Sequence, residues 1–168
     1  MAVIAETPVP AAYKTLVVAG LSFSLLGDIA LMFPEKWFTA GLVAFLAAQI
    51  FYILAFKPAS GHPAAAGVFL PLILFGLLMF FLLAPTLGPM KLPVLVYIAA
   101  ITAMAGFAAG RFVDLGGTRP LLASAGAILF LVSDSVLAYN RFAKKVPHAR
   151  AIILGTYFPA QLLIALSV

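Results

Sequence analysis

The chain consists of long, nearly uninterrupted apolar runs separated by short stretches that are rich in proline, glycine and charged residues. Six of these runs are each close to the ~20 residues that cross a ~30 Å hydrocarbon layer as a helix. Because the runs do not alternate apolar with polar residues, they predict helices and not the strands of a β-barrel. The six predicted spans are residues 13–33, 37–56, 64–83, 92–109, 121–140 and 150–167.

The connections between the spans contain residues that interrupt helices. Pro34-Glu35-Lys36 predicts a tight first turn, and residues 57–63 include two prolines and a glycine that break the helical hydrogen-bond ladder. Residues 84–93 and 110–120 are predicted to end the third and fourth spans, and residues 141–148 form the most basic connection.

The composition indicates that these apolar helices form a membrane domain. Hydrophobic residues make up 65% of the 168 and charged residues only 9%, whereas an ordinary soluble domain is about 45–50% apolar. A soluble fold of this size could not bury so much apolar surface, so lipid must be its solvent. We expect an all-α, polytopic transmembrane helix bundle: a single domain over residues 13–168, after a short N-terminal segment, residues 1–12.

The net charge of +5 is spread over the connections, which suits the lipid bilayer's anionic headgroups and not nucleic acid, because nucleic acid needs a dense basic face. The absence of cysteine excludes disulfides and thiolate metal sites. Residues 1–10 lack the basic stretch of a secretory signal, so no cleavable segment is expected.

Lysine and arginine are distributed unevenly between the two ends of the spans, six against four. The positive-inside rule places the six-cation end, called the basic face below, in the cytoplasm. Its cations are Lys36, Lys91, Arg141, Lys144, Lys145 and Arg150, and those of the opposite end are Lys14, Lys57, Arg111 and Arg119.

Two aspartates lie inside predicted spans, Asp28 in the first and Asp134 in the fifth. A carboxylate in the bilayer costs about 2.5–3.5 kcal/mol on insertion scales, so it indicates a functional site by default. The first and fifth spans run in the same direction, and a rise of 1.5 Å per residue puts Asp28 about 8 Å and Asp134 about 9 Å from the basic face. Both carboxyls are therefore predicted at one depth.

Other polar side chains are predicted in the same layer. Counting inward from the basic face places Tyr97 about 8 Å and Tyr157 about 10 Å into the fourth and sixth spans. Ser24 shares a helix face with Asp28. The remaining candidates near this layer or slightly beyond it are Asn140, Arg141, Thr156 and Gln161. This convergence predicts a site between helices, in which the two carboxyls face each other across one cavity.

Structural roles compete with these functional ones. An intramembrane aspartate can bond to a serine or tyrosine of a neighbouring helix and hold the packing. Tyr13, Trp37, Tyr52 and Tyr139 fit an aromatic belt at the membrane interface. His62 and His148 lie in connections, and no spacing resembles a metal site.

The motifs resemble those of the YhhN-like lysoplasmalogenase family over nearly the whole chain. Residues 23–32 (FSLLGDIALM) are similar to the family's FS-x-x-GD-x-x-L, and residues 129–142 and 156–162 to its LF-x-x-SD-x-x-LA-x-x-x-F and TYY-x-AQ-x-L. Tyr97 and Met104 resemble its Y-x(6)-M pattern. Gln49 and Tyr52 fall on its His-x-x-Tyr, with glutamine in the histidine's place. The family generally has seven or eight predicted spans, one or two more than are predicted here.

The resemblance implies hydrolysis of the vinyl-ether bond of a lysoplasmalogen, a lysophospholipid, to a fatty aldehyde and a glycerophospho-base without a cofactor. The reaction starts by protonating the alkenyl carbon and needs an acid and an anion. Two neighbouring carboxyls in a low-dielectric layer resist losing both protons. We therefore expect Asp28 and Asp134 to share these roles, with the acid unassigned. Ser24, Gln49, Tyr97, Asn140, Thr156, Tyr157 and Gln161 would contact substrate or water, and Arg141 with Lys144 the phosphate.

Two other function classes remain open from the sequence. A proton-linked transporter or channel would also use intramembrane carboxylates and predicts a polar path to the opposite face. A non-catalytic scaffold would use the aspartates only to hold helices together. Residues 106–110 (GFAAG) allow close helix contact within or between chains, so a homo-oligomer is compatible with the sequence. The resemblance places the protein in a bacterial cytoplasmic membrane as a multi-pass protein.

Overall fold

A computed structural model describes residues 9–58 and 66–168, and in these residues the chain forms six α-helices. The helices are α1 (Ala11–Leu31), α2 (Pro34–Phe56), α3 (Phe69–Leu83), α4 (Lys91–Leu115), α5 (Thr118–Ala138) and α6 (Ala149–Leu166). Short 3₁₀ turns, Ala66–Val68 and Gly88–Met90, precede α3 and α4, and a π-helical turn, Tyr139–Ala143, continues α5. The all-α prediction is confirmed.

Five of the six helices are long and apolar enough to cross a membrane, and the third is shorter than predicted. The α3 helix has 15 residues. Residues 64–65, where the predicted span starts, lie outside the described residues, and so does most of the 57–63 connection, including His62. The large apolar side chains that face outward support a lipid surround, since Met32, Phe81 and Leu92 are 72%, 68% and 69% exposed.

Two predicted connections are wrong in position. Pro34-Glu35-Lys36 is the first turn of α2 and not a connection, because proline is favoured at the first position of a helix, where its missing N–H is not needed. Residues 110–115 are helical and extend α4 to Leu115. The turn that follows is made by Gly116 and Gly117, whose φ angles of 62° and 82° fall in the left-handed region that favours glycine.

Five helices form a ring, and α3 lies outside it. The α1 helix packs on α2, α2 on α4, α4 on α5 and α5 on α6, and α6 meets α1 again. The α3 helix packs mainly against α4. Helices α1 and α6 make the least extensive contact of the ring, so the side-chain hydrogen bonds between them carry more of that junction.

Glycines let neighbouring helices approach closely. A Cβ atom on Gly20 would overlap the ring of Tyr52, and one on Gly27 would lie 2.6 Å from Phe45 Cε2. The small-residue pattern at 106–110 also serves a contact within the chain, because Gly106 packs against the ring of Phe69. These contacts fix the register of α1 on α2 and of α3 on α4.

The Gly27→Ala variant is expected to lower the melting temperature of the protein. The added methyl group meets Phe45, whose ring is held in edge-on contacts with Phe130 and Tyr157 at 5.9 and 5.8 Å and so cannot move freely. Overpacking of this kind costs about 1–3 kcal/mol. Gly155→Ala is the matched control, since its Cβ would meet nothing within 4 Å; equal melting temperatures of the two variants would contradict the packing described here.

Candidate active site

Asp134 and Tyr97 form a hydrogen-bonded pair between α5 and α4. The Tyr97 hydroxyl donates to Oδ2 of Asp134. The tyrosine is buried, and the aspartate is half-buried. These two residues, which were predicted at similar depths, are therefore in direct contact.

Asp28 and Tyr157 form a second pair, between α1 and α6. The Tyr157 hydroxyl donates to Oδ2 of Asp28 at 2.7 Å. The Tyr157 ring packs edge-on against Phe45 and Phe130, with centroids 5.8 and 5.6 Å away. This aromatic contact fixes the direction of the hydroxyl and hence the position of the Asp28 carboxyl.

The two aspartates belong to one electrostatic group, although each has its own tyrosine. Asp28 lies close enough to Asp134 for their charges to interact, and Tyr157 lies within the field of both. The arrangement agrees with the expectation that both carboxyls share one layer of the bundle. The expectation that both carboxyls line one cavity was wrong, because Asp134 lines the cavity described below and Asp28 does not.

A second set of hydrogen bonds lies one turn further from the basic face. The Tyr52 hydroxyl donates to Oε1 of Gln161 at 2.8 Å, and Nε2 of Gln161 donates to Oγ of Ser24 at 3.2 Å. Ser24 and Tyr52 are buried and Gln161 is half-buried. These bonds join α2, α6 and α1, and they bring the predicted site residues Ser24 and Gln161 into contact, with Tyr52 as an additional member.

Gln49 occupies the buried face of α2 and is 0% exposed. Its amide lies near the Tyr97 hydroxyl but without hydrogen-bond geometry, and within the described part of the chain neither Oε1 nor Nε2 has a hydrogen-bond partner. A fully buried amide without partners is rare in folded proteins. Gln49 therefore stands beside the Tyr97–Asp134 pair with its hydrogen-bonding capacity unused.

An apolar cavity lies between α2 and α3 and reaches the Tyr97–Asp134 pair. It contains about 660 Å³ of space when its open mouth and the open space beside it are included. Its walls include Phe45 of α2, Phe75 of α3 and Leu131 of α5, and its polar lining side chains are Tyr97, Asp134 and Ser135. The Ser135 hydroxyl already donates to the Leu131 carbonyl at 2.7 Å.

Arg141 lies at the basic end of this cavity. Its guanidinium carbon is 4.8 Å from the ring centroid of Phe38, and Phe38 packs edge-on against Phe142 at 5.6 Å. Both phenylalanines line the cavity, and Arg141 itself is exposed. The π-helical turn that carries Arg141 and Phe142 is a rare element, frequent at functional sites.

Two expected members of the site have partners elsewhere. Oδ1 of Asn140 accepts a hydrogen bond from the Val146 backbone N–H at 2.9 Å and so closes its own connection. The Thr156 hydroxyl donates to carbonyls of its own helix, at 2.8 Å to Ile152. Neither joins the aspartate–tyrosine pairs. No group of three or more His, Asp or Glu residues in the described ranges could hold a metal ion.

A family model described as the YhhN family matches residues 1–168 of the chain. The chain belongs to the YhhN family.

Curated relatives are similar to this YhhN protein over most of its length. It is 36% identical over 159 residues to lysoplasmalogenase TMEM86A of Homo sapiens, covering 91% of the chain and 65% of the relative. It is 38% identical over 167 residues to lysoplasmalogenase TMEM86B of Homo sapiens (92% and 64%), and 37% over 157 residues to that of Sus scrofa (93% and 64%). The chain thus spans a little under two thirds of these relatives. No solved structure gives a significant match.

Two residues expected in an aromatic belt are buried in this YhhN protein. Tyr52 is 0% exposed and belongs to the hydrogen-bonded set with Gln161 and Ser24. Tyr13 is bonded to Ser167 at 2.7 Å. The belt prediction was wrong for both, because an apolar helix gives no polar side by which inward and lipid-facing positions can be told apart. The spacing of Gln49 and Tyr52, three residues apart on one helix face, was the available signal for Tyr52.

Proposed function

We propose that this YhhN protein hydrolyses the vinyl-ether bond of lysoplasmalogens, releasing a fatty aldehyde and a glycerophospho-base. The observation that carries the proposal is the Tyr97–Asp134 pair, which places a carboxyl in the wall of an otherwise apolar cavity. The relatives named lysoplasmalogenases support the substrate class. They give no support to the transporter alternative.

The cavity suits a single hydrocarbon chain that enters from the bilayer. It lies between α2 and α3, and α3 packs mainly on α4 instead of closing the ring. An alkenyl chain between these helices would stay in apolar surroundings throughout, because the cavity walls are about as apolar as the lipid tails it leaves. Its vinyl-ether end would then lie beside Asp134, with the glycerophosphate directed toward the basic face.

The two carbons of the vinyl-ether double bond react in different ways. The Asp134 carboxyl, as the acid that lines the cavity, gives its proton to the alkenyl carbon farther from the ether oxygen. The carbon bonded to that oxygen becomes an oxocarbenium-like cation. Water adds to this carbon and loses a proton, and the hemiacetal collapses to the aldehyde and the free glycerol hydroxyl. Tyr97 holds the Asp134 carboxyl in position for the transfer.

Asp28 acts on this reaction through charge and not through contact. It interacts electrostatically with Asp134 and is held by Tyr157, outside the cavity lining. Two carboxyls whose charges repel each other resist ionising together, so that one remains an acid while the other is an anion. We assign Asp28 the anion, which stabilises the positive charge that develops on the substrate. Ser24, Tyr52 and Gln161 hold α1 and α6 so that this charge keeps its place.

Arg141 binds the substrate phosphate at the mouth of the cavity, with Lys144 beside it along the same connection. The Arg141→Gln variant is expected to raise KM for a lysoplasmalogen about fivefold and to leave kcat near the wild-type value, because one cation near a lipid headgroup is worth about 1 kcal/mol. Steady-state kinetics in mixed micelles measure both constants. Arg150→Gln is the matched control, an exposed cation of the same face; an equal change in KM in the two variants would contradict the assignment.

The proposed setting is a bacterial cytoplasmic membrane with the basic face in the cytoplasm. The multi-pass membrane character rests on the five long apolar helices, and the orientation on the excess of lysine and arginine at the basic face.

The direct test of the proposed function is aldehyde release by the purified protein from lysolipids that differ only in an alkenyl or an acyl chain. We expect aldehyde from the alkenyl lipid and no hydrolysis of the acyl lipid, since an ester does not form the same cation on protonation. Hydrolysis of neither lipid by a folded preparation would contradict the proposal and favour the scaffold alternative. Proteoliposome flux measurements on the same preparation check for transport.

A further inference from the structure

The Gln49 side chain is a buried amide whose hydrogen bonds are not made by the protein. Both of its polar atoms lack partners within the part of the chain that the structure describes, and the residue is 0% exposed. Leaving such a group unpaired costs about 1–3 kcal/mol. Buried polar atoms normally find a partner, ordered water included, so an amide in the middle of the bundle points to a small polar ligand that it binds.

The surroundings of Gln49 define what that ligand can be. The Tyr97 hydroxyl uses its one hydrogen on Asp134, which leaves its oxygen able to accept another hydrogen bond. Gln49 lies near this oxygen and offers two N–H hydrogens and a carbonyl oxygen. A molecule that bonds to both groups must donate and accept, and it must be small, because side chains of four other helices fill the interior of the ring. Water has these properties.

The proposed reaction creates a need for such a water. An alkenyl chain in the cavity displaces solvent from its apolar walls, yet one water must remain next to the reacting carbon. A buried water needs two to four polar partners, and the cavity lining supplies only Tyr97, Asp134 and the already bonded Ser135. Gln49 lies next to Tyr97 but outside the lining, so a water held there would not be displaced by the chain.

We propose that Gln49 holds the water molecule that the hydrolysis consumes, beside the Tyr97–Asp134 pair. The inference rests on the proposed function. After Asp134 has protonated the alkenyl carbon, the oxygen of this water forms a bond to the cationic carbon, and one of its protons returns to the Asp134 carboxylate. The product is the neutral hemiacetal, and Asp134 is again an acid. Gln49 orients the water and does not itself exchange a proton.

The Gln49→Met variant tests the inference, because it removes the amide and keeps an unbranched side chain of similar length. We expect kcat for aldehyde release to fall at least tenfold. The melting temperature should be unchanged or higher, since replacing an unpaired polar group by an apolar one of similar shape is neutral or stabilising. Gln49→His, which keeps one donor and one acceptor, should retain more activity than Gln49→Met.

Competition by methanol gives a readout that a purely structural role would not move. Methanol that attacks the cation forms a methyl acetal in place of the hemiacetal, so the ratio of acetal to aldehyde reports how firmly water is held. We expect Gln49→Met to produce a larger acetal share than the wild type at the same methanol concentration. A wild-type ratio and wild-type kcat in Gln49→Met would overturn the inference while leaving the proposed function intact. If the wild type itself released no aldehyde, the proposed function would be contradicted instead.

An experimental density map of the wild type keeps the inference testable even if the variants do not fold. We expect an ordered water within about 2.7–3.2 Å of the Gln49 amide. A map in which the amide bonds only to protein groups, with no water beside it, would overturn the inference.

Discussion

The Asp134→Asn variant is expected to lose aldehyde release by a factor of about 10²–10⁴, the usual contribution of a positioned general acid. Asparagine is nearly the same size as aspartate and can still accept the hydrogen bond from Tyr97, so the α4–α5 junction should survive. It cannot deliver a proton to the alkenyl carbon. The fall should appear in kcat, with KM for the lysolipid little changed, because the hydrocarbon chain still finds the same cavity.

Glu35→Gln is the control for this substitution, since it makes the same carboxyl-to-amide change at an exposed site in the first turn of α2. It should retain wild-type turnover. The melting temperature of Asp134→Asn should lie near that of the wild type. Undiminished aldehyde release from a folded Asp134→Asn preparation would show that this carboxyl is not the acid.

The Asp28→Asn variant is expected to lose about 10²-fold in kcat, of the order found when a single preorganised electrostatic contribution is removed. Its amide oxygen can still accept from the Tyr157 hydroxyl, which preserves the bond between α1 and α6. The negative charge near the developing cation is lost. The effect should therefore be smaller than that of Asp134→Asn and should again fall on kcat.

A double variant separates catalysis from helix packing. If the two carboxyls act as an acid and an anion in one reaction, Asp28→Asn should add much less to the loss in an Asp134→Asn background than it does alone. A scaffold role predicts something different: both single variants would lower the melting temperature, and neither would change an activity. Fully additive losses in kcat would contradict a shared role for the pair.

The depth of the polar groups could be predicted from the sequence, because it depends only on the helical rise and on where each span meets the basic face. This count placed Asp28, Asp134, Tyr97 and Tyr157 in one layer, and the structure joins them as two tyrosine–aspartate pairs. An error of a few residues at a helix end shifts a predicted depth by only a few ångströms, so the wrong boundary at Pro34 changed the predicted depths little.

The direction of each side chain around its helix could not be predicted in the same way. Helices that are apolar on every side give no polar face to mark the outside, so Tyr52 and Tyr13 were placed at the interface although both are buried. Asn140 was expected in the site, but a hydrogen bond from the backbone of the following connection holds its side chain away from the site. Such local capping depends on the geometry of the connection and not on depth.

The cavity could not be predicted from the sequence either. It exists because α3, a helix of 15 residues, packs mainly on α4 and leaves space beside α2. The order of helices along the chain does not determine which of them lies outside the ring. The different surroundings of the two aspartates follow from this placement, and with them the assignment of the acid to Asp134.

Hydrolysis of a lysoplasmalogen in D₂O tests whether an acid of the protein delivers a proton to the alkenyl carbon. The aldehyde should be reduced to the alcohol as it forms, to prevent later exchange, and the mass of the alcohol determined. We expect one deuterium on the carbon next to the former carbonyl, with the labelled product strongly reduced in Asp134→Asn. Aldehyde without solvent deuterium at that carbon, or labelled product formed at the same rate by Asp134→Asn, would contradict this expectation.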